Sequence, residues 1–213
     1  MKGLINLNLS LCYIARIYFI ILFTISLAET RVFNFMTLNL FLAYIPFELC
    51  LLLKLFKPKK AFEWPLFIIF GLVFLLLVPN TFYMITDLIH LNQFQFNFLV
   101  GLNLTEWIFF TYLMLGVFLA MYVMILIFME IEHFTSHVWL NRALIVVLMF
   151  LNGLGIYIGR FLRLHTVYLI NEPLKIVTEV LSVFSLKTFM FVLLMVLMQA
   201  VLALIVKGVR LQK

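Results

Sequence analysis

The sequence predicts an all-α, polytopic membrane helix bundle with about six transmembrane helices, and three observations predict it. Apolar residues make up 66% of the 213 residues and charged residues 11%, where soluble domains carry roughly a quarter charged. The apolar residues, 25 Phe among them, fall in runs near the roughly 20 residues that a helix needs to cross a bilayer. The charges gather between those runs. A water-soluble fold of this length could not hide so much apolar surface, whereas lipid tails are an apolar solvent for it.

Six runs qualify as spans: Leu11 to Ala28, Phe35 to Leu53, Trp64 to Val78, Trp107 to Phe128, Ala143 to Gly159 and Phe189 to Val206. In the first, Ser26-Leu27-Ala28 is similar to a signal-peptidase site. The length of the run, the Arg16 inside it and the weakly charged leader favour an uncleaved helix. Basic residues set the orientation. With the N terminus inside, the inner side receives nine Lys and Arg and the outer side five, Arg16 being within a span. The expectation is a cell-membrane protein with both termini cytoplasmic. No linker or repeat divides the chain, so residues 1–213 are read as a single integral membrane domain.

The third run is short and is followed by Pro79-Asn80 and a helix-compatible stretch, Thr81 to Leu91. One unbroken helix from Trp64 to Leu91 would be about 42 Å long at 1.5 Å per residue, more than a hydrocarbon core of roughly 30 Å. The third helix is therefore expected to break near Pro79, which lacks a backbone donor.

The net charge of +6 would suggest a basic groove in a nucleic-acid binder. Here it follows from the loop lysines, and neither a phosphate-binding Gly-rich loop nor a nucleic-acid motif is present. The expected partner is the lipid bilayer, with a lipid headgroup or a membrane protein as further candidates and no nucleic acid. Cys12 and Cys50, at the cytoplasmic ends of their spans, read as reduced thiols.

Three segments together resemble a bacterial multipass family catalogued as domain of unknown function 1361. They are Asn39 to Phe47 (NLFLAYIPF), Val78 to Leu91 (VPNTFYMITDLIHL) and Gly153 to Arg163 (GLGIYIGRFLR). The resemblance covers most of the chain and its middle segment is the most specific. It implies a multipass bacterial membrane protein and carries no assigned activity. After the Gly-Arg segment the family typically reads Asn-Ser-Trp-Asp, where this chain has His165-Thr166-Val167-Tyr168. An acidic role at that position is not carried over.

The candidate site lies on the outer face: Tyr83, Asp87, His90, Arg160 and Arg163. On an α-helix Tyr83, Asp87 and His90 share a face, as do Thr86 and His90. Arg160 and Arg163 end the fifth span at comparable depth, and Glu106 begins the fourth on the same side. Guanidinium forks match phosphate oxygens, and Asp87 with His90 could act as base and acid. The plainer reading is an Asp87–Arg160 ion pair pinning two helix ends. Asp-x-x-His lacks the three or four ligands of a zinc site, so neither a metal nor a cofactor is expected.

Nearer the inner side, Arg16 and Glu48 lie at matching depth on neighbouring spans and are expected to form a structural ion pair. The loop Glu130 to His137 has two histidines four apart and reads as a solvated loop. Gly155 and Gly159 form G-x-x-x-G, a close-packing motif. Leu164 to Leu186 could lie along the outer interface as an amphipathic lid.

These features support three functions. The first is binding of a lipid, small solute or partner protein at the outer face, favoured because no complete catalytic set is present. The second is a transporter or transporter subunit, suggested by the broken helix and requiring a polar path through Asn39, Asn152 and Gln199. The third is a membrane-embedded enzyme acting on a lipid-linked phosphate through Asp87, His90, Arg160 and Arg163.

Overall fold

A computed structural model describes residues 2–28, 32–97, 99, 101–162 and 185–210. These residues are almost entirely helical, with no strand among them. The helices are α1 (Lys2–Ala28), α2 (Met36–Leu55), α3 (Trp64–Leu77), α4 (Pro79–Tyr83), α5 (Leu104–Glu132), α6 (Val138–Tyr157) and α7 (Leu186–Arg210). 3-10 segments cover Ala61–Glu63 and Met84–Gln93, and a π turn, Ile158–Leu162, continues α6. Among the described residues six stretches are long and apolar enough to cross a membrane. Helices are what such sequences form in lipid, because only a helix or a closed barrel satisfies every backbone polar group internally.

The expected spans and the six long apolar stretches among the described residues agree in number and order. The helices run further at several ends: α5 extends from Leu104 to Glu132 and α6 begins at Val138. The added turns carry polar residues such as Glu106, Glu130 and Asn141, which belong outside a hydrocarbon layer.

The fourth span, α5, is the most buried, and the third and sixth are the least. Its sides pack against α1, α2, α4 and α6, while α7 packs chiefly on α6. Leu113, Val117, Ala120, Val123, Met124 and Ile127 of α5 are buried at this centre. Exposed Ile14, Ile17, Ile21, Leu66, Ile69, Leu72, Leu194 and Leu197 mark the outside of the bundle as apolar. That inversion of a soluble protein's surface is what a hydrocarbon environment requires.

The third span is interrupted at Val78–Pro79, as the sequence suggests. The peptide N–H of Thr81 bonds the carbonyl of Val78 at 3.1 Å, a tighter i to i−3 closure. The Leu77 carbonyl loses its ordinary partner and instead accepts from the side chain of Asn80 at 2.9 Å. Pro46 inside α2 removes the donor that would meet the Leu42 carbonyl, and the Thr81 hydroxyl donates across to the neighbouring Ala43 carbonyl at 2.8 Å. Freed backbone groups in lipid survive where neighbours bond them in this way.

Val78 itself keeps right-handed helical angles, and α4 continues beyond it as an α-helix. Beyond Tyr83 the expected α-helical run is a 3-10 helix, Met84–Gln93. Ten residues is long for a 3-10 helix, whose hydrogen bonds are poorer than those of an α-helix.

The G-x-x-x-G motif packs inside the bundle. A Cβ on Gly155 would lie 2.6 Å from the Pro79 ring, and one on Gly159 would lie 3.4 Å from the Tyr83 ring. The absent side chains let α6 lie against the point where the third span is interrupted.

Candidate functional site

Asn39, Asp87 and Arg160 meet at one end of the bundle. Asp87 is completely buried. Its Oδ1 accepts from Arg160 Nη2 at 2.6 Å and its Oδ2 accepts from Asn39 Nδ2 at 2.7 Å. Arg160 Nη2 also donates to the Thr86 hydroxyl at 2.6 Å, and that hydroxyl donates to the Tyr83 carbonyl at 2.6 Å. The guanidinium lies over the Tyr83 ring, 4.1 Å from its centroid, in a cation–π contact. A carboxylate this deep is tolerable only when a cation and hydrogen bonds replace its water. Here both oxygens are occupied.

Backbone irregularity positions two of the three members. Asp87 rides on the 3-10 helix, and Arg160 sits in the π turn at the end of α6. One segment is wound more tightly than an α-helix and the other more loosely. Asn39 comes from the first turns of α2, a regular helix.

This segment is wound as a 3-10 helix where the sequence suggests an α-helix. With three residues per turn, side chains three apart eclipse and those four apart diverge. Tyr83, Thr86 and Asp87 still meet, because Arg160 reaches all three. Asp87 and His90, three apart, act on each other electrostatically, the His90 ring also lies against the Phe35 ring with centroids 4.3 Å apart, and Thr86 bonds Arg160 and the Tyr83 carbonyl. Glu106, in the first turn of α5, takes no part in the triad. Arg163 and the candidate lid from Leu164 lie outside the described residues up to Phe184.

Asn39 is the residue that the acid–base reading passes over, because a single Asn in an apolar run carries no signal of its own partner. Its place within the first of the three resembling segments was the available clue. Asn39, Asp87 and Arg160 come one from each of those segments, so the stretches that carry the resemblance are the stretches that build the triad.

Other polar residues form separate knots. Arg16 and Glu48 make a bidentate pair, Nε to Oε1 and Nη2 to Oε2, each 2.9 Å, joining α1 to α2. Tyr44 donates to the same carboxylate. Lys54 pairs with Glu130, joining α2 to α5. Asn152 donates to Gln199 at 2.8 Å, and both are fully buried between α6 and α7. Asn39 thus bonds Asp87 while Asn152 and Gln199 bond each other. Cys12 and Cys50 are free thiols.

In the loop after α5, Asn141 is the organiser: it donates to the carbonyls of Glu132 and Thr135 at 2.8 and 2.9 Å and accepts from Thr135. Among the described residues no three His, Cys, Asp or Glu side chains gather as metal ligands would.

Six apolar spans, α5 the most buried of them, tied by ion pairs and amide bonds, define a multi-pass membrane helix bundle. The chain belongs to the family described as "Protein of unknown function (DUF1361)", whose sequence model matches residues 38–202. That range contains the whole triad and leaves out α1 with Arg16. No curated protein and no solved structure matches the chain significantly.

Proposed function

We propose that this bacterial protein lies in the cell membrane with both termini cytoplasmic and acts by binding at its outer face, where the Asn39–Asp87–Arg160 triad holds three spans together. The nine-to-five distribution of basic residues between the two sides supports the orientation. The observation that carries the binding reading is the state of the triad. Asp87 has no free oxygen and no exposure, while Arg160 Nε is buried without a hydrogen-bond partner among the described residues. A consumed carboxylate is a poor general base, because taking up a proton requires it to leave its cation. A guanidinium with an unused donor still has one N–H for an acceptor, and an unmade buried hydrogen bond is costly. The ligand class is therefore an acceptor-bearing headgroup or solute, such as one with a phosphate or carboxylate. The separate bonding of Asn39 from Asn152 and Gln199 weighs against a transport path through the three.

A photo-crosslinking amino acid at Ile89, half-exposed and two residues after Asp87 in the chain, tests this in living cells. An adduct that exceeds one formed from exposed Ile69 and that is lost in Arg160→Lys supports binding. Equal labelling at both positions overturns it. So does turnover of a lipid-linked phosphate that disappears in a folded Asp87→Asn variant, which would establish the enzyme instead.

A further inference from the structure

The loops at the opposite end of the bundle meet each other. Lys57 Nζ donates to the Phe134 carbonyl at 2.9 Å and lies 5.3 Å over that ring. Phe67 stacks on the same ring, with centroids 6.3 Å apart. Residues 56–63 and 134–142 therefore present one surface.

Its charges do not balance. The acids near it are engaged: Glu130 by Lys54, Glu63 by the backbone N–H groups of Lys59 and Lys60 at 2.7 and 3.2 Å, and Glu132 at the end of α5 is not free either. Lys59, Lys60 and Arg142 are exposed and have no ion pair among the described residues. Two of these cations lie over aromatic rings, Lys60 5.8 Å from Phe62 and Arg142 5.6 Å from Trp139. Those rings face outward, Phe62 being 74% and Trp139 81% exposed. Aromatic rings with neighbouring cations suit the boundary between acyl chains and headgroups, where the ring sits at headgroup level and the cation meets phosphate.

We infer that residues 56–63 and 134–142 together form a binding surface for the phosphate of anionic lipid headgroups. Charge complementarity commits it to lipid phosphate, since the exposed rings beside the cations need acyl chains to cover them. This surface is at the far end from the triad, so the outer-face reading can fail without it, and it without that reading.

The test uses the full chain purified in neutral detergent and exposed to phosphatidylglycerol, phosphatidylcholine or inorganic phosphate, with bound lipid counted by native mass spectrometry. Each basic residue near an anionic surface is worth roughly a fivefold preference. The wild type should retain phosphatidylglycerol over phosphatidylcholine, and the preference should fall as salt rises. A Lys59→Gln, Lys60→Gln, Arg142→Gln variant should lose most of that preference, while Lys187→Gln at the other end keeps it. The three positions are exposed, and an unchanged elution profile checks that the triple variant folds. Equal retention of the two lipids by the wild type, or full preference in the triple variant, overturns the inference. Displacement of phosphatidylglycerol by millimolar inorganic phosphate overturns the lipid assignment in favour of a soluble phosphate.

Discussion

Replacing Arg160 with Gln leaves the Asp87 carboxylate in a site without solvent, held only by Asn39. Removing one member of a buried ion pair typically costs about 3–5 kcal/mol, because the other charge is stranded. For a domain of this length each kcal/mol moves the melting temperature by roughly 2–4 °C, so the expected loss is on the order of 6–20 °C. Asp87→Asn strands the guanidinium and should also destabilise. The double variant, Asp87→Asn with Arg160→Gln, strands neither charge and should recover part of the loss. A coupling of about 1–3 kcal/mol is expected for groups in direct contact. Thermal unfolding of the four proteins in one detergent, followed by size-exclusion fluorescence, measures it. Additive effects within about 0.5 kcal/mol would refute the claim that the pair holds the spans.

Gly155→Ala places a carbon 2.6 Å from the Pro79 ring, about 1 Å inside normal carbon contact, against a ring that cannot rotate away. Overpacking of this kind costs about 1–3 kcal/mol, whereas Gly71→Ala, with nothing within 4 Å, should be neutral or stabilising. Equal melting temperatures for the two would show that the close approach does not matter. Asn141→Ala removes the bonds that tie Thr135 and Glu132. Faster limited proteolysis at the 133–137 loop, with little change in global melting, is the expected result, and an unchanged cleavage rate would remove Asn141 from that role.

Much of the fold is legible in the sequence because lipid imposes a simple rule: an apolar run of sufficient length must be a helix. Trp64 to Leu77 is read almost to the residue for that reason. Helix ends are less legible, since residues such as Val138 or Leu104 are compatible with either headgroups or acyl chains. The winding beyond Tyr83 is not legible at all. Met84 to Gln93 has no residue that forbids an α-helix, and its 3-10 form accompanies tertiary bonds from Asn39 and Arg160 to Asp87. The Asp87–Arg160 contact follows from two opposite charges at similar depth. The partnership with Asn39 does not, because a neutral amide can bond in many directions. The depths of Arg16 and Glu48 matched on adjacent antiparallel spans, and the two side chains meet.

The tight winding of Met84–Gln93 has a mechanical consequence. A 3-10 helix turns about 20° more and rises about 0.5 Å more per residue than an α-helix. Rewinding the segment from Tyr83 onward as α would carry Asp87 through roughly 80° and draw it back by about 2 Å. Neither Asn39 nor Arg160 could follow such a swing from its own helix. The carboxylate therefore acts as a pin through a screw thread: while it is seated, the tip of the third span keeps its pitch, and any change of pitch there must first unseat it.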